Sequence, residues 1–203
     1  GGNGVCVGMP IDGVDVMIRP VDDRGRATAE PTATPGTLGE VVVRAAHARV
    51  GYDRLWHTQW AADQPEGWHA TGDLGQLDRD GRLWIGGRGE HVITTADGPL
   101  APVRLEQLAE LVDGVARACV VGVGPVGLQQ IVVVLELDHA VPSPRVAGTA
   151  SSDRVRALVD VPVVAVIEVP RLPDDRRHNS KIDRTAVARW AARSLADGTL
   201  PSL

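Results

Sequence analysis

The sequence predicts an α+β fold in which a β-rich first part precedes a second part of alternating strands and helices. Up to about residue 87, short β-branched segments are separated by turns rich in Gly, Pro, Thr and Asp, and none sustains a 3.6-residue apolar period. From residue 88 onward, amphipathic segments alternate with apolar ones. Hydrophobic residues make up 43% of the 203 residues, which suffices for a buried core without metal ions or disulfides.

Three strands are predicted in the first part. Val14–Ile18 alternates toward a strand, and Glu40–Arg44 is a β-branched run. Arg82–Ile85 follows a turn at Asp78–Gly81. We expect Gly1–Gly87 to form a β-rich unit without helices of its own, and such a unit is typically part of a larger domain.

The second part, from Arg88 onward, is predicted to be a compact α+β unit. A hairpin is expected at Asp97-Gly98 and a helix over Pro102–Val112, whose apolar residues recur on one face. A final helix is expected over Asp183–Ala196, ending at Gly198. The remaining predicted elements are strands at Ala118–Val123, Gln130–Leu137 and Val161–Val169, and a helix opened by Ser151-Ser152-Asp153.

Charge and the length of apolar runs exclude two classes of partner. The 21 basic and 26 acidic residues give a net charge of -5 and are spread along the chain, which lacks the cationic patch that binds nucleic acid. The longest apolar runs have about ten residues, whereas a membrane-spanning helix needs about 20. We therefore expect neither a nucleic-acid partner nor a membrane span.

The cysteines and histidines lack the spacing of a metal site. Cys6 and Cys119 stand apart, so we expect no zinc site and no disulfide, and a cytoplasmic location. The histidines His47, His57 and His69 match no helical or hairpin ligand set. Exposed or hydrogen-bonded side chains explain them better, and no metal site is predicted in this chain.

Three polar segments are candidates for chemistry. The charged loop Pro170–Lys181 ends in the only lysine of the chain, just before the last helix, where a long cation can reach a phosphate; a solvated linker is the alternative. In Thr71-Gly72-Asp73, the carboxylate can present both oxygens to a ribose diol, or the segment is a plain turn. Arg88, between two glycines, can donate to phosphate or ribose oxygens, or is a linker residue.

The order of these segments resembles the C-terminal motif series of the adenylate-forming enzymes, which include acyl-CoA synthetases, peptide-synthetase adenylation domains and luciferases. The resemblance covers nearly the whole chain. It implies that 1–87 is the β-rich end of the large domain of such an enzyme and that 88–203 is its small, mobile α+β lid domain. The motifs are Gly39-Glu40, Gly51-Tyr52, Thr71-Gly72-Asp73, Gly87-Arg88 and Asn179-Ser180-Lys181-Ile182-Asp183-Arg184.

The resemblance also implies roles for individual residues. Asp73 would bind the ribose diol, and Arg88 would contact the nucleotide beside it. Lys181 would be the catalytic lysine, which binds the substrate carboxylate and the α-phosphate as the acyl adenylate forms. Glu90 lies at the hinge about which the lid domain turns, where the family usually has Asp or Lys.

The resemblance implies ATP and Mg²⁺ as well. The phosphate-binding loop of the family, and the Thr-Glu pair that helps to hold magnesium, are expected upstream of Gly1. This chain alone is therefore expected to be inactive, and the upstream part of the same enzyme is an expected partner. After Arg88, Thr94 and Asp97-Gly98 stand where the family usually has Lys and Gly.

Within the superfamily, the segments Gly87–Val92, Ala96–Gly98 and Arg177–Ile182 resemble the β-lactone synthetases of long-chain olefin biosynthesis. This implies that ATP activates a 2-alkyl-3-hydroxy fatty acid, whose β-hydroxyl then expels AMP without coenzyme A. Other enzymes of the olefin pathway become candidate partners, and His178 and Asn179 become candidate supporting residues. Two alternatives stay open: a fatty acyl-CoA ligase, and a non-catalytic fragment or docking module.

Overall fold

The computed structural model describes residues 4–28, 30–45, 67–175 and 178–203, and for 178–180 it describes the backbone alone. Two main sheets follow one another along these residues. None of the helices in this described part is long and apolar enough to cross a membrane. The architecture is α+β, as the sequence predicts.

The first sheet has five antiparallel strands in the order β1-β5-β4-β3-β2. Its small core contains Ile18, Val41 and Leu77. The three predicted strands are confirmed, and no α-helix precedes Gly89 among the described residues. The strands are β1 (Val5–Gly8), β2 (Val14–Pro20), β3 (Gly39–Ala45), β4 (His69–Leu77) and β5 (Leu83–Arg88).

The alternative interpretation of Thr71-Gly72-Asp73 as a plain turn is wrong, because these residues lie inside β4. The segment has few β-branched residues, and its conformation is set by the strands on either side of it. β4 pairs with β3 along one edge and with β5 along the other. Asp73 therefore lies on a strand whose two neighbours limit its movement.

A single 3₁₀ turn, Gly89–His91, follows β5 and leads into the second part. The predicted hairpin is confirmed as β6 (Ile93–Thr95) and β7 (Gly98–Leu100). The next helix, α1 (Pro102–Ala109), begins with proline at its first position, as helices commonly do. It is shorter than predicted because Glu110 caps it and the chain turns through Leu111 and Val112.

The second sheet has four strands in the order β10-β11-β9-β8, with β9 and β11 parallel. A two-stranded hairpin of β12 and β13 precedes the last helix, so part of the predicted loop Pro170–Lys181 is extended structure. The elements are β8 (Val115–Val123), β9 (Gln130–Leu137), β10 (Arg145–Val146), α2 (Thr149–Leu158), β11 (Val163–Val169), β12 (Asp174–Asp175), β13 (His178–Ile182) and α3 (Arg184–Asp197).

Helices cover both faces of the second sheet, which explains the continuous apolar run of β9. Val133 and Leu135 face a core that contains residues of α1 and α2. Val132 and Val134 face the other core, which contains Trp190 and its neighbours on α3. The last helix ends as predicted at Gly198, whose φ of +65° suits glycine.

Replacing Val133 with alanine is expected to lower the free energy of unfolding by about 2 kcal/mol, because two buried methyl groups are lost and a cavity remains. Val133 is 0% exposed on the central strand. Val164→Ala is the matched control, since Val164 is 46% exposed on the neighbouring strand. Urea denaturation of both variants checks this, and an equal loss in both would contradict the assignment of the core.

Candidate functional site

Asp73 and Arg88 lie directly opposite each other on β4 and β5. Arg88 Nη1 donates hydrogen bonds to Asp73 Oδ1 at 2.9 Å and to the carbonyl oxygen of Thr71 at 3.3 Å. The side chains of Asp73 and Arg88 are 36% and 55% exposed. Among the described residues, the hydrogen bond from Arg88 is made to Oδ1 of Asp73, and none is made to Oδ2.

The backbone around Asp73 is fixed by its neighbours. Thr71 Oγ1 donates to the carbonyl of Val41 at 2.9 Å and accepts from the Asp73 N–H at 3.1 Å. Gly72 has a φ of +75°, and a Cβ there would lie 2.9 Å from Arg88 Nη2. Glycine at 72 therefore permits both the local backbone conformation and the close approach of the guanidinium.

A cleft of about 320 Å³ is lined by Arg88 but not by Asp73, and Gly25, Glu40, Gly72 and Glu90 also line it. Glu90 belongs to the 3₁₀ turn that follows β5, and its side chain is 72% exposed. A carboxylate and a guanidinium side by side at a cleft can bind a ligand that offers both hydroxyl donors and anionic oxygens. A nucleotide has both.

Two titratable groups, His91 in the 3₁₀ turn and Cys119 in the core of the second sheet, are held in their neutral forms. Burial lowers the pKa of His91 below its usual value, even though Glu90 opposes this effect. Burial also raises the pKa of the Cys119 thiol far above its usual value. At neutral pH, His91 is therefore mainly uncharged, and Cys119 is not a thiolate nucleophile.

Lys181 lies on β13, in the hairpin just before α3, and its side chain is exposed. It forms no hydrogen bond or ion pair with Asp73 or Arg88. The structure thus pairs Asp73 with Arg88, brings Arg88 and Glu90 to the lining of one cleft, and places Lys181 on a separate element of the second part.

Some sequence-predicted residues lie outside the described set. The side chains of His178 and Asn179 are among them, as are Gly51-Tyr52, His47 and His57. Within the described ranges, no group of three or more His, Cys, Asp or Glu side chains could hold a metal ion.

Sequence reasoning missed two ion pairs that flank Lys181 in the structure. Arg184 Nε donates to Glu106 Oε1 at 3.0 Å, and Arg117 Nη1 donates to Asp174 Oδ1 at 3.0 Å. One signal was present for the first pair: Glu106 lies between apolar positions on the buried face of α1, where a charged side chain needs a partner. Nothing in the local sequence points to the second pair.

Comparisons with known proteins give consistent similarities, although no protein-family model matches the chain. The chain is 32% identical to an olefin β-lactone synthetase from Stenotrophomonas maltophilia. The similarity covers 96% of this chain and 37% of that protein. It is 29% identical to a 3-hydroxybenzoate–CoA ligase from Aromatoleum sp., and this similarity covers 92% of this chain and 33% of that protein. The fold matches that of ATP-bound MatB from Rhodopseudomonas palustris with a TM-score of 0.74 and 20% identity, covering 92% of this chain and 36% of that one. The chain thus spans only about a third of the length of the proteins that it matches.

Proposed function

Since the chain belongs to the adenylate-forming enzymes, we propose that it is part of an ATP-dependent enzyme that converts a fatty carboxylic acid into an acyl adenylate. We propose that the substrate is a 2-alkyl-3-hydroxy fatty acid and that the product is a β-lactone. The observation that carries this proposal is the similarity to an olefin β-lactone synthetase over 96% of the chain. The activity is proposed for the complete protein, because the chain spans 37% of that relative.

In this proposal, Asp73 and Arg88 hold the nucleotide. Oδ2 of Asp73 accepts a hydrogen bond from a ribose hydroxyl, and Oδ1 is held in place by Arg88. The exposed Arg88 retains donors for a further nucleotide oxygen, since a guanidinium offers five N–H groups. The 2.9 Å ion pair between them supports a shared role for the two residues.

Lys181 acts in the adenylation step. The substrate carboxylate attacks the α-phosphorus of ATP, a bond from carboxylate oxygen to phosphorus forms, and pyrophosphate leaves. Negative charge gathers on the α-phosphate oxygens as this happens, and an ammonium group placed there in a closed cleft stabilises the transition state. The exposed position of Lys181, ahead of α3, supports this role because nothing in the described structure covers its side chain.

The second step closes the lactone. The β-hydroxyl oxygen attacks the acyl carbonyl carbon, loses its proton to solvent, and AMP leaves as the new carbon–oxygen ring bond forms. Both reacting groups belong to one molecule, so the enzyme mainly has to orient them. ATP and the 3-hydroxy acid thus give the lactone, AMP and pyrophosphate, and coenzyme A takes no part.

We place the boundary between the two domains at 87/88, with 1–87 in the large domain and 88–203 as the mobile lid. Glu90, which follows the boundary, serves as the hinge residue. Its place in a single 3₁₀ turn between β5 and the β6–β7 hairpin supports this, because the turn has no buried residues to resist a change of backbone angles.

The proposal is tested by incubating the complete protein with ATP and a 2-alkyl-3-hydroxy fatty acid in the absence of coenzyme A. We expect AMP, pyrophosphate and a neutral lactone, detected by mass spectrometry. A matched fatty acid without the 3-hydroxyl group is the control, and it should support pyrophosphate exchange without release of a lactone. Absence of exchange with both acids would contradict the adenylating function.

A fatty acyl-CoA ligase is the second candidate, favoured by the 29% identity to a CoA ligase over 92% of the chain. Strict dependence of product formation on coenzyme A would establish it in place of lactone formation. A non-catalytic docking module is the third. Mixing this chain with a separately expressed upstream half distinguishes it, because restored adenylation that is lost again in Lys181→Ala contradicts a docking role.

A further inference from the structure

The strand that carries Lys181 is paired, at its downstream end, with a residue that a cluster of charges holds in place. Asp174, on β12, accepts a hydrogen bond from Arg117 at 3.0 Å and another from Arg171 at 2.7 Å. In the hairpin, Asp174 lies opposite Ile182, the residue that follows Lys181. The side chains of Arg117 and Asp174 are only 27% and 25% exposed, so water screens this pair less than it screens a surface pair.

The same cluster ties the base of the hairpin to the second sheet. Arg117 comes from β8, and its guanidinium lies 3.6 Å from the carboxylate of Glu136 on β9. Glu136 accepts a hydrogen bond from the N–H of Leu172 at 2.8 Å, and Leu172 is fully buried. The chain that enters the hairpin is therefore anchored to two strands before it reaches Lys181.

The residues that follow the strand are anchored as well. The Asp183 carboxylate caps α3 by accepting from the Ala186 N–H at 2.9 Å. Arg184, the next residue, donates to Glu106 on α1 at 3.0 Å, and Glu106 also accepts from the Val120 N–H at 3.1 Å. The side chains of Arg184 and Glu106 are 21% and 7% exposed, so this second anchor is mostly buried.

We propose that the ion pairs Arg117–Asp174 and Glu106–Arg184 position Lys181 by fixing the strand that pairs with the residue after it and the helix turn that follows it. This inference rests on the function proposed above for Lys181. A lysine side chain has a long, flexible stem, so its ammonium group can be directed only by fixing the Cα from which it extends. A displacement of about 1 Å at a reacting centre can lower the rate by up to about 100-fold. Ion pairs that fix the backbone beside Lys181 would therefore protect the rate of adenylation.

The test compares Asp174→Ala with Asp160→Ala. Asp160 is a matched control, because it also accepts two arginine hydrogen bonds, at 2.8 and 2.6 Å from Arg104, on a different side of the same domain. In the complete enzyme, we expect Asp174→Ala to lower kcat for ATP–pyrophosphate exchange about tenfold with an ATP KM within about twofold. Asp174→Asn, which keeps an oxygen for Arg117, should restore part of kcat, and Asp160→Ala should keep the full rate.

Hydrogen exchange of the amides of 178–182 provides a readout that does not depend on activity. We expect faster exchange at these amides in Asp174→Ala and unchanged exchange in Asp160→Ala. Exchange and kcat that change equally in the two variants, or in neither, would overturn the positioning role. Should the unaltered complete protein lack adenylation, the proposed function fails, and the exchange measurement still decides whether Asp174 fixes this strand.

Discussion

Replacing Lys181 with alanine is expected to slow adenylate formation by the complete enzyme about 100- to 1,000-fold, the usual cost of removing one preorganised charge stabiliser from a transition state. Lys181 is exposed on β13 and forms no ion pair with the described acidic residues. Its loss should therefore change the free energy of unfolding by less than about 0.5 kcal/mol. ATP–pyrophosphate exchange and urea denaturation, measured on the same preparation, separate the two effects.

Two variants sharpen this prediction. Lys181→Arg keeps the positive charge but replaces a compact ammonium with a planar fork, so we expect it to recover only part of the lost rate. Arg193→Ala removes an exposed cation from α3, and it should leave the rate unchanged. If Lys181→Ala keeps more than about a tenth of the original rate, or loses stability in proportion to activity, the catalytic role assigned to Lys181 is wrong.

The strands and helices with strong local signals follow from the sequence. The β-branched run at Glu40–Arg44 is strand β3, and the cap at Asp183 with glycine at 198 encloses α3. The apolar run Gln130–Leu137 does not alternate between apolar and polar residues, because helices cover both faces of this strand. Such a run is also compatible with a buried helix, so the pattern alone does not distinguish the two. Such segments are predictable because local preference and burial agree.

Strand β4 shows where local reasoning ends. Its residues include two glycines and few β-branched side chains, so propensity favours a turn over a strand. The hydrogen-bonding edges of β3 and β5 enforce the extended conformation. β5 follows β4 after a short turn, but β3 already ends at Ala45, well before β4 begins at His69. Tertiary pairing thus overrides the propensity of the segment that carries Asp73.

The arrangement of the candidate residues does not follow from the sequence. The motif order makes Asp73, Arg88 and Lys181 candidates, yet no rule of spacing shows that Asp73 and Arg88 form an ion pair across 15 residues. That contact depends on the register of β4 and β5, which shifts at an irregularity between Leu74 and Gly75. A one-residue change of register would turn Asp73 to the other face of the sheet.

Glu106→Ala is expected to lower the free energy of unfolding by about 3 kcal/mol, because it leaves a mostly buried arginine without its counterion. Burial of the Arg184 guanidinium acts to lower its pKa, but the hydrogen bond and charge of Glu106 outweigh burial and raise the pKa above its usual value. Arginine stays charged in proteins, so the variant cannot relieve the loss by deprotonation. Urea denaturation measures the change.

The matched control is Glu110→Ala on the same helix. Glu110 also accepts a backbone N–H of β8, from Ala118 at 3.1 Å, but its side chain is exposed. Its removal should cost less than about 1 kcal/mol, because water can satisfy the N–H group that it leaves. Equal losses in the two variants would mean that the ion pair with Arg184 contributes nothing beyond the backbone hydrogen bond.

A double variant isolates the charge from the hydrogen bond. Glu106→Gln keeps an oxygen for the Val120 N–H, and Arg184→Met removes the guanidinium while retaining an apolar side chain of similar length. Together they should recover most of the stability that Glu106→Ala loses, because a buried ion pair replaced as a unit is often neutral for stability.

The activity of the double variant is a separate measurement. The double variant no longer ties the first turn of α3 to α1 by charge, and the strand that carries Lys181 ends at that turn. A stable double variant with reduced adenylation would therefore separate the folding role of this pair from its positioning role, whereas full recovery of both would assign the pair to stability alone.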